Sequence, residues 1–197
     1  METDVESPLI LASSSKYKRR LLARLPTEFG VRTPGIDESR HAGESPAQMA
    51  RRLAVEKARG IHEQESDALV LGSDQVAAKD DRIFGKPGSQ DRAVEQLQKL
   101  QGATHQLITA VALADPDGGV ETATAVYEMV MRRLTTDEIR AYVDEDRPVD
   151  CAGAYKIEAA GIRLFEATKG DDPTAIEGLP LTKVWGLLLD AGVEVVG

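Results

Sequence analysis

The chain has 197 residues, 42% of them apolar, 29% charged and 4% aromatic, and 33 acidic against 24 basic side chains leave a net charge of −9. That length supports one domain with a core, and the balance excludes disordered and fibrous classes. So acidic a chain repels nucleic acid, which excludes a bulk nucleic-acid binder, whereas a small anion can still bind where lysines and arginines gather.

Residues Met1 to Pro8 carry acids and no basic segment, so no secretory leader is expected. Pro8 to Ala12 reads as a short buried strand, followed by Ser13-Ser14-Ser15 and a basic helix with an apolar stripe at Leu21, Leu22 and Leu25. Phe29 to Thr33 reads as a second strand. Ser45-Pro46 opens a helix, with Ser at the N-cap and Pro at the first position, continued by Met49, Leu53, Ala54, Ala58 and Ile61. Ala68 to Leu71 is a short apolar strand that Gly72 is expected to stop. Lys79-Asp80-Asp81-Arg82 is a turn between extended segments, and Ser89 opens a helix that buries Ala93, Val94, Leu97 and Leu100. Leu107 to Ala114 and Val120 to Met131 form a long hairpin around Pro116-Asp117-Gly118-Gly119. Thr135 and Glu138 form a capping box for a helix ending near Asp144. Ile162 to Ala167 is strand-like, and Leu181 to Leu189 is an amphipathic helix. The alternation predicts a single α/β domain spanning 1–197 with a mixed central sheet and flanking helices. Apolar runs such as Trp185 to Leu189 are too short to cross a bilayer, so a cytoplasmic protein without membrane contact is expected. Cys151, the only cysteine, excludes an intrachain disulfide and a thiol–metal cluster.

Candidate chemistry lies at several points. Ser13 to Arg20 places hydroxyls and four cations where a strand gives way to a helix, a pattern that suits a phosphate; a solvated basic helix face is the other reading. Gly72-Ser73-Asp74-Gln75 puts a carboxylate after a buried strand, expected at the sheet edge, where Asp74 can bind a divalent cation or take a proton from water. A turn Asp capping its own backbone has the same pattern. Asp37-Glu38 is an acidic loop pair able to face a metal or only water. Glu56-Lys57 reads as an exposed pair on a helix, and Gly85-Lys86-Pro87 sets a lysine in a rigid turn. Cys151 to Glu158 is rich in small residues that permit close backbone approach. His41, His62 and His105 are isolated and read as surface residues. No Walker A loop or dinucleotide fingerprint is present.

In order, Leu9-Ile10-Leu11-Ala12-Ser13-Ser14-Ser15 with Arg19-Arg20, Asp37-Glu38, Glu56-Lys57-Ala58, Gly72-Ser73-Asp74-Gln75-Val76, Gly85-Lys86-Pro87, Ala152-Gly153-Ala154-Tyr155 and Gly178-Leu179-Pro180-Leu181 resemble the Maf-like nucleotide pyrophosphatases from about residue 9 to 190. The resemblance implies an elongated two-lobed fold, similar to inosine-triphosphate pyrophosphatases, with a nucleotide in a central cleft. It implies a divalent metal, magnesium or manganese, and release of diphosphate from a nucleoside triphosphate. Asp74 matches the family's proton acceptor; Ser13, Lys18, Arg19, Glu38, Lys57 and Lys86 match its phosphate-handling and metal-side positions, with Glu38 and Asp74 nearest the metal. Tyr17, Gln75 and Glu158 match the positions that sort the family by base, and here are similar to the subgroup acting on 7-methyl-GTP, whose role is the removal of modified nucleotides. A cationic N7-methylated guanine suits an aromatic face and a carboxylate. Lys16 and Lys18 depart from the family's usual Pro and Arg, which changes the detail of phosphate contact. The alternatives are a dTTP/UTP pyrophosphatase and a non-catalytic nucleotide-binding regulator of cell division; a homodimer is compatible with all three.

Overall fold

The computed structural model describes residues 8–193, so the stretch read for a leader lies, apart from Pro8, outside the described residues. In chain order the elements are β1 (Leu9–Ala12), α1 (Lys16–Leu22), β2 (Phe29–Arg32), α2 (Pro46–His62), β3 (Leu69–Lys79), β4 (Arg82–Phe84), α3 (Gln90–Leu100), β5 (Thr104–Ala114), β6 (Val120–Met131), α4 (Thr136–Asp146), β7 (Phe165–Lys169) and α5 (Leu181–Asp190). Short 3-10 turns cover Ala152–Ala154, Ala160–Leu164 and Pro173–Glu177. The strands form one mixed sheet in the order β2-β1-β3-β5-β6-β7, with β4 added to β3. Only β1 runs parallel to its neighbours, β2 and β3; the remaining pairs are antiparallel. Among the described residues no helix is long and apolar enough to cross a membrane.

Local chemistry sets most boundaries. Ser45 and Gln48 close the capping box of α2 with Pro46 in its first turn, and Thr135 and Glu138 do the same for α4. Asp80 adopts the left-handed conformation in the β3–β4 turn, which a short polar side chain tolerates.

Two expected boundaries fail. Gly72 does not stop β3, which runs eleven residues to Lys79. The glycine answers instead to packing: a Cβ there would lie 2.1 Å from the Ala54 carbonyl oxygen and 2.7 Å from the Ala58 nitrogen. Only a bare backbone lets α2 approach the sheet so closely. The strand expected at Ile162–Ala167 begins at Phe165, because Ala160–Leu164 coils as a 3-10 turn; Leu164 reaches the core without sheet pairing, while Ile162 is exposed.

The core is three clusters rather than one. Residues of β1, β3 and β5 such as Ile10, Val70 and Ile108 pack beneath α2. On the opposite face Leu11, Leu71 and Val111 pack against α1 and α5. A third cluster, around Leu97, Met129 and Tyr142, joins α3, α4 and the far ends of β3, β5 and β6. β3 and β5 run through all three, so they tie together the two halves between which the cleft opens.

Candidate active site

β3 is paired with β1 as far as Gly72, opposite Ala12, and with β4 only from Ala77, opposite Phe84. Between these points Ser73 to Val76 has a strand, β5, on one side only. The other side opens into a cavity of about 330 Å³. Because side chains alternate along a strand, this gap presents Asp74 toward α2 and Gln75 toward the opposite face. Asp74 therefore does not stand at the end of a strand, as expected, but midway along a central one where its parallel neighbour has ended.

The Gly72 contact holds α2 against β3 and brings Lys57, one turn along from Ala54, over Asp74. Lys57 Nζ donates to Asp74 Oδ1 at 2.6 Å and lies 2.7 Å from Glu38 Oε1. The expectation of an exposed Glu56-Lys57 pair thus fails for the lysine, which is 8% exposed, while Glu56 bonds Arg52 on the outer face. Burial favours the uncharged lysine, but its ion pairs with Asp74 and Glu38 outweigh it and raise the Lys57 pKa. Glu38 is likewise held below its ordinary range: burial opposes this, and the hydrogen bond from Lys57 overcomes it. Lys18 Nζ reaches the uncovered edge of β3 and donates to the Ser73 carbonyl at 2.6 Å. Burial pushes the Lys18 pKa down to about 8, against the pull of Asp74 and with the repulsion of Lys57 and Lys86. Lys86, in the exposed turn after β4, also lines the cavity.

Ser13 is buried and lines the same cavity, but its hydroxyl accepts from the Ser15 amide at 3.1 Å, and Ser15 caps Lys18 N–H. The amides of the N-cap Ser15 and of Lys18 in the first turn of α1 are therefore engaged within the chain. Arg19 is exposed and is not part of the lining: one residue beyond Lys18 on a helix, it turns about 100° away. The solvated-face reading of the basic segment holds for Arg19 and fails for Lys18.

At the other end of the cavity lie Tyr17, Asp150, Cys151 and Glu158. Tyr17 Oη donates to Asp150 Oδ2 at 3.3 Å, and burial, with Cys151 and Asp150 nearby, raises its pKa. Cys151 is itself pushed up to about 12 by burial and Asp150, so it is an inert thiol at neutral pH. Asp150 is paired with Lys16 and Lys156. Glu158 is exposed at the cavity and has no ion pair among the described residues. Gln75 lies beneath, its amide tied to the Pro173–Glu177 turn.

Sequence reasoning missed Thr109, Asp150 and Asp172, which touch site residues or fix their partners across the fold. It also misplaced His105, which is 2% exposed rather than on the surface. His105 Nε2 lies 2.9 Å from Tyr155 Oη, its ring is packed near Phe165, and burial lowers its pKa to about 4. Alternation was the available signal at the start of the strand, where Thr104 and Gln106 are exposed and His105 and Leu107 are buried.

Among the described residues no group of three or more His, Cys, Asp or Glu stands ready for a metal. Glu38 and Asp74 nonetheless offer carboxylate oxygens to one point, now filled by the Lys57 ammonium. Two such oxygens suit a hard divalent cation that completes its shell with water and phosphate oxygens.

The sequence matches the Maf-like protein family over residues 8–191. It is 47% identical over 188 residues to the 7-methyl-GTP pyrophosphatase of Aromatoleum aromaticum, covering 95% of this chain and 97% of that protein. To those of Pseudomonas aeruginosa and Xanthomonas axonopodis pv. citri it is 43% and 45% identical, with 95% of this chain and 98% of each relative covered. Among solved structures, a HAM1 protein from Coxiella burnetii superposes with a TM-score of 0.54 at 17% identity, and the Staphylococcus aureus Ham1 protein with 0.51 at 13%, each covering 93% of this chain and 99% of that one. These two share the fold: a mixed sheet flanked by helices. With a family match that spans nearly its whole length and begins just before the strand leading into the cleft, the chain belongs to the Maf family.

Proposed function

We propose that this protein is a nucleoside-triphosphate pyrophosphatase that cleaves 7-methyl-GTP to 7-methyl-GMP and diphosphate. The observation that carries the reading is the polarity of the cavity. Lys18, Lys57 and Lys86 stand at one end with Asp74 and Glu38, and at the other stand Tyr17 and Glu158, which has no ion pair among the described residues. A ligand with an anionic tail and a cationic, stackable head matches both ends at once, and N7-methylation places a positive charge on guanine. The names of the relatives at 43–47% identity support the same substrate.

In the proposed reaction a water oxygen attacks the α-phosphorus, the bond to the bridging oxygen breaks, and diphosphate leaves with the electron pair. Asp74, at the uncovered edge of β3, accepts the proton of the attacking water. Lys18, Lys57 and Lys86 meet the charge that grows on the phosphoryl oxygens and on the leaving diphosphate. Ser13, between β1 and α1, accepts from the Ser15 amide and so keeps its hydroxyl proton for a phosphate oxygen. Glu38 and Asp74 would hold a magnesium or manganese ion, which supplies electrostatic polarisation of the phosphate when bound. For these carboxylates to turn to a cation, Lys57 must leave them for a phosphate oxygen, an exchange of partners that needs no net charge to be buried.

A panel of 7-methyl-GTP, GTP, ITP, dTTP and UTP with diphosphate release as the readout tests this reading. The expected order puts 7-methyl-GTP first in kcat/KM. Preference for dTTP or UTP would replace it with the pyrimidine alternative, and no release from any triphosphate would remove the enzyme reading altogether.

A further inference from the structure

Glu38 sits in a segment without regular structure, residues 33–45, between β2 and α2. Its side chain is 53% exposed, so burial does not hold it beside Asp74, and the segment itself must be tied down. The ties converge on Arg52 of α2. Nε of Arg52 donates to Glu44 Oε1 at 2.6 Å and Nη2 to Glu44 Oε2 at 2.9 Å, the fork that a guanidinium makes with a carboxylate. Nη2 also donates to the carbonyl of Ser39, the residue after Glu38, at 2.9 Å. Nη1 donates to Glu56 Oε2 at 3.0 Å, one turn along α2. The Arg52 and Glu44 side chains are only 17% and 9% exposed, so this fork is not a solvated surface pair of the kind that contributes little.

Contacts on either side of the fork finish the segment. Asp37 accepts from the Ser39 amide and hydroxyl, both at 2.9 Å. The Glu44 carboxylate accepts from the His41 amide at 3.0 Å, and Arg40 donates to the carbonyls of both Glu44 and Asp81, which joins the segment to the β3–β4 turn. Arg52 and Lys57 stand on the same helix. Five residues at about 100° each set them about 140° apart around its axis, so α2 meets Asp74 with Lys57 and the Glu38 segment with Arg52. The Gly72 contact presses this helix onto β3. Whatever fixes the segment to α2 therefore also fixes Glu38 relative to Asp74.

We propose that Arg52 is a positioning residue: by clamping Ser39 and Glu44 to α2, it holds the Glu38 carboxylate beside that of Asp74, so that the two can take one divalent cation. This rests on the reading of the cavity as a site of metal-assisted phosphate chemistry, and adds to it the element that aligns the carboxylates. Groups that orient a metal-binding side chain without touching the ion set metal affinity by about ten- to a hundredfold.

The test measures the Mn2+ requirement of the full chain in two ways over one Mn2+ series: diphosphate release from 7-methyl-GTP, and calorimetric binding of the non-cleavable α,β-methylene analogue of GTP. Arg52→Met, which keeps an unbranched side chain and removes every donor, should raise the half-maximal Mn2+ concentration about tenfold in both. At saturating Mn2+ its kcat should return to within about threefold of wild type. Glu56→Gln, which takes a charge from Arg52 on the side away from the segment, should shift the requirement less than about twofold. Glu38→Gln should raise it too, and adding Arg52→Met to that variant should contribute less than about twofold more, because the clamp acts through Glu38. Should Arg52→Met fail to fold, Glu44→Gln, with Arg52 in place, should raise the requirement at least about threefold and likewise add little to Glu38→Gln. An unchanged Mn2+ requirement in the clamp variant, a rise that multiplies in full with that of Glu38→Gln, or an equal rise in Glu56→Gln overturns the proposal. A wild type that cleaves without any divalent cation also overturns it and leaves the pyrophosphatase reading standing, whereas failure to cleave every triphosphate would end both.

Discussion

At the lysine end of the cavity the charges hold one another: Lys57 lies between Asp74 and Glu38, and Lys18 is tied to a backbone carbonyl of β3. At the Tyr17 end, Asp150 is paired with two lysines, but Glu158 lines the cavity with no ion pair among the described residues. The first arrangement keeps its charges paired and in place, and on the proposed reading Lys57 exchanges its carboxylates for a phosphate when ligand binds. The second leaves a charge without an ion-pair partner among the described residues, one that the cationic head group of the proposed substrate would supply. Chemistry and selection are therefore separable, and substitutions at the two ends should fail in different ways.

Asp74→Asn should do the most damage, lowering kcat by about a hundredfold or more for every nucleotide, while thermal unfolding stays near wild type because Lys57 retains Glu38. Diphosphate release and a melting curve on the same sample check this; near-normal turnover would take Asp74 out of the mechanism. Glu158→Gln should be selective instead. It is expected to lower kcat/KM for 7-methyl-GTP about tenfold, the scale of a charge-assisted contact weakened by its exposure to solvent, and to change GTP much less. An equal loss on both substrates would erase the distinction between the two ends.

The pH dependence of the lysine end has a definite sign. Lys18 has its pKa lowered by burial from an ordinary 10.5 to about 8. As pH rises through about 8 the free enzyme loses this positive charge, so kcat/KM should fall, about tenfold per pH unit at the limit. Stability moves the other way. Between about 8 and 10.5 the unfolded chain binds a proton that the folded chain has released, so this group makes the fold more stable as pH rises. Lys18→Met should abolish both limbs; a kcat/KM profile that keeps its alkaline fall in that variant would assign it elsewhere. The smallest effect belongs to Arg19→Ala, expected to change kcat/KM by less than about threefold because Arg19 is exposed beside the cleft rather than in it. A loss as large as that of Lys18→Ala would mean that α1 turns when ligand binds.

Much of the fold was legible because its signals are local. Ser45-Pro46, Thr135 with Glu138 and Ser89 mark helix starts through bonds made within one turn, and the β5–β6 hairpin is visible in its flanking apolar runs and Gly118-Gly119 turn. Of the site residues that the sequence proposed, all but Arg19 line the cavity, while Asp150, which also lines it, lay in no motif. Local signals misled wherever a long-range contact took over. Gly72 resembles a strand stop, yet it is a glycine because α2 lies on it; Lys57 resembles a surface residue, yet Asp74 and Glu38 draw its charge inside. His105 resembles an isolated polar residue, yet Tyr155, fifty residues on, gives its ring nitrogen a partner.

What the sequence by itself determined is the inventory: which residues carry charge, which segments coil or extend, and the ordered motifs by which the family is known. All of these depend on chemistry within a few residues. Tertiary structure alone decided the polarity of the inventory. β1 ends where β4 has not begun, so an edge of β3 is left open; α2 then sets Lys57 over that edge, and a turn a hundred residues away ties down the Gln75 amide. Hydrogen bonds and ion pairs form between groups that are close in space, and that closeness is set by packing across the sheet, which spacing along the chain does not encode.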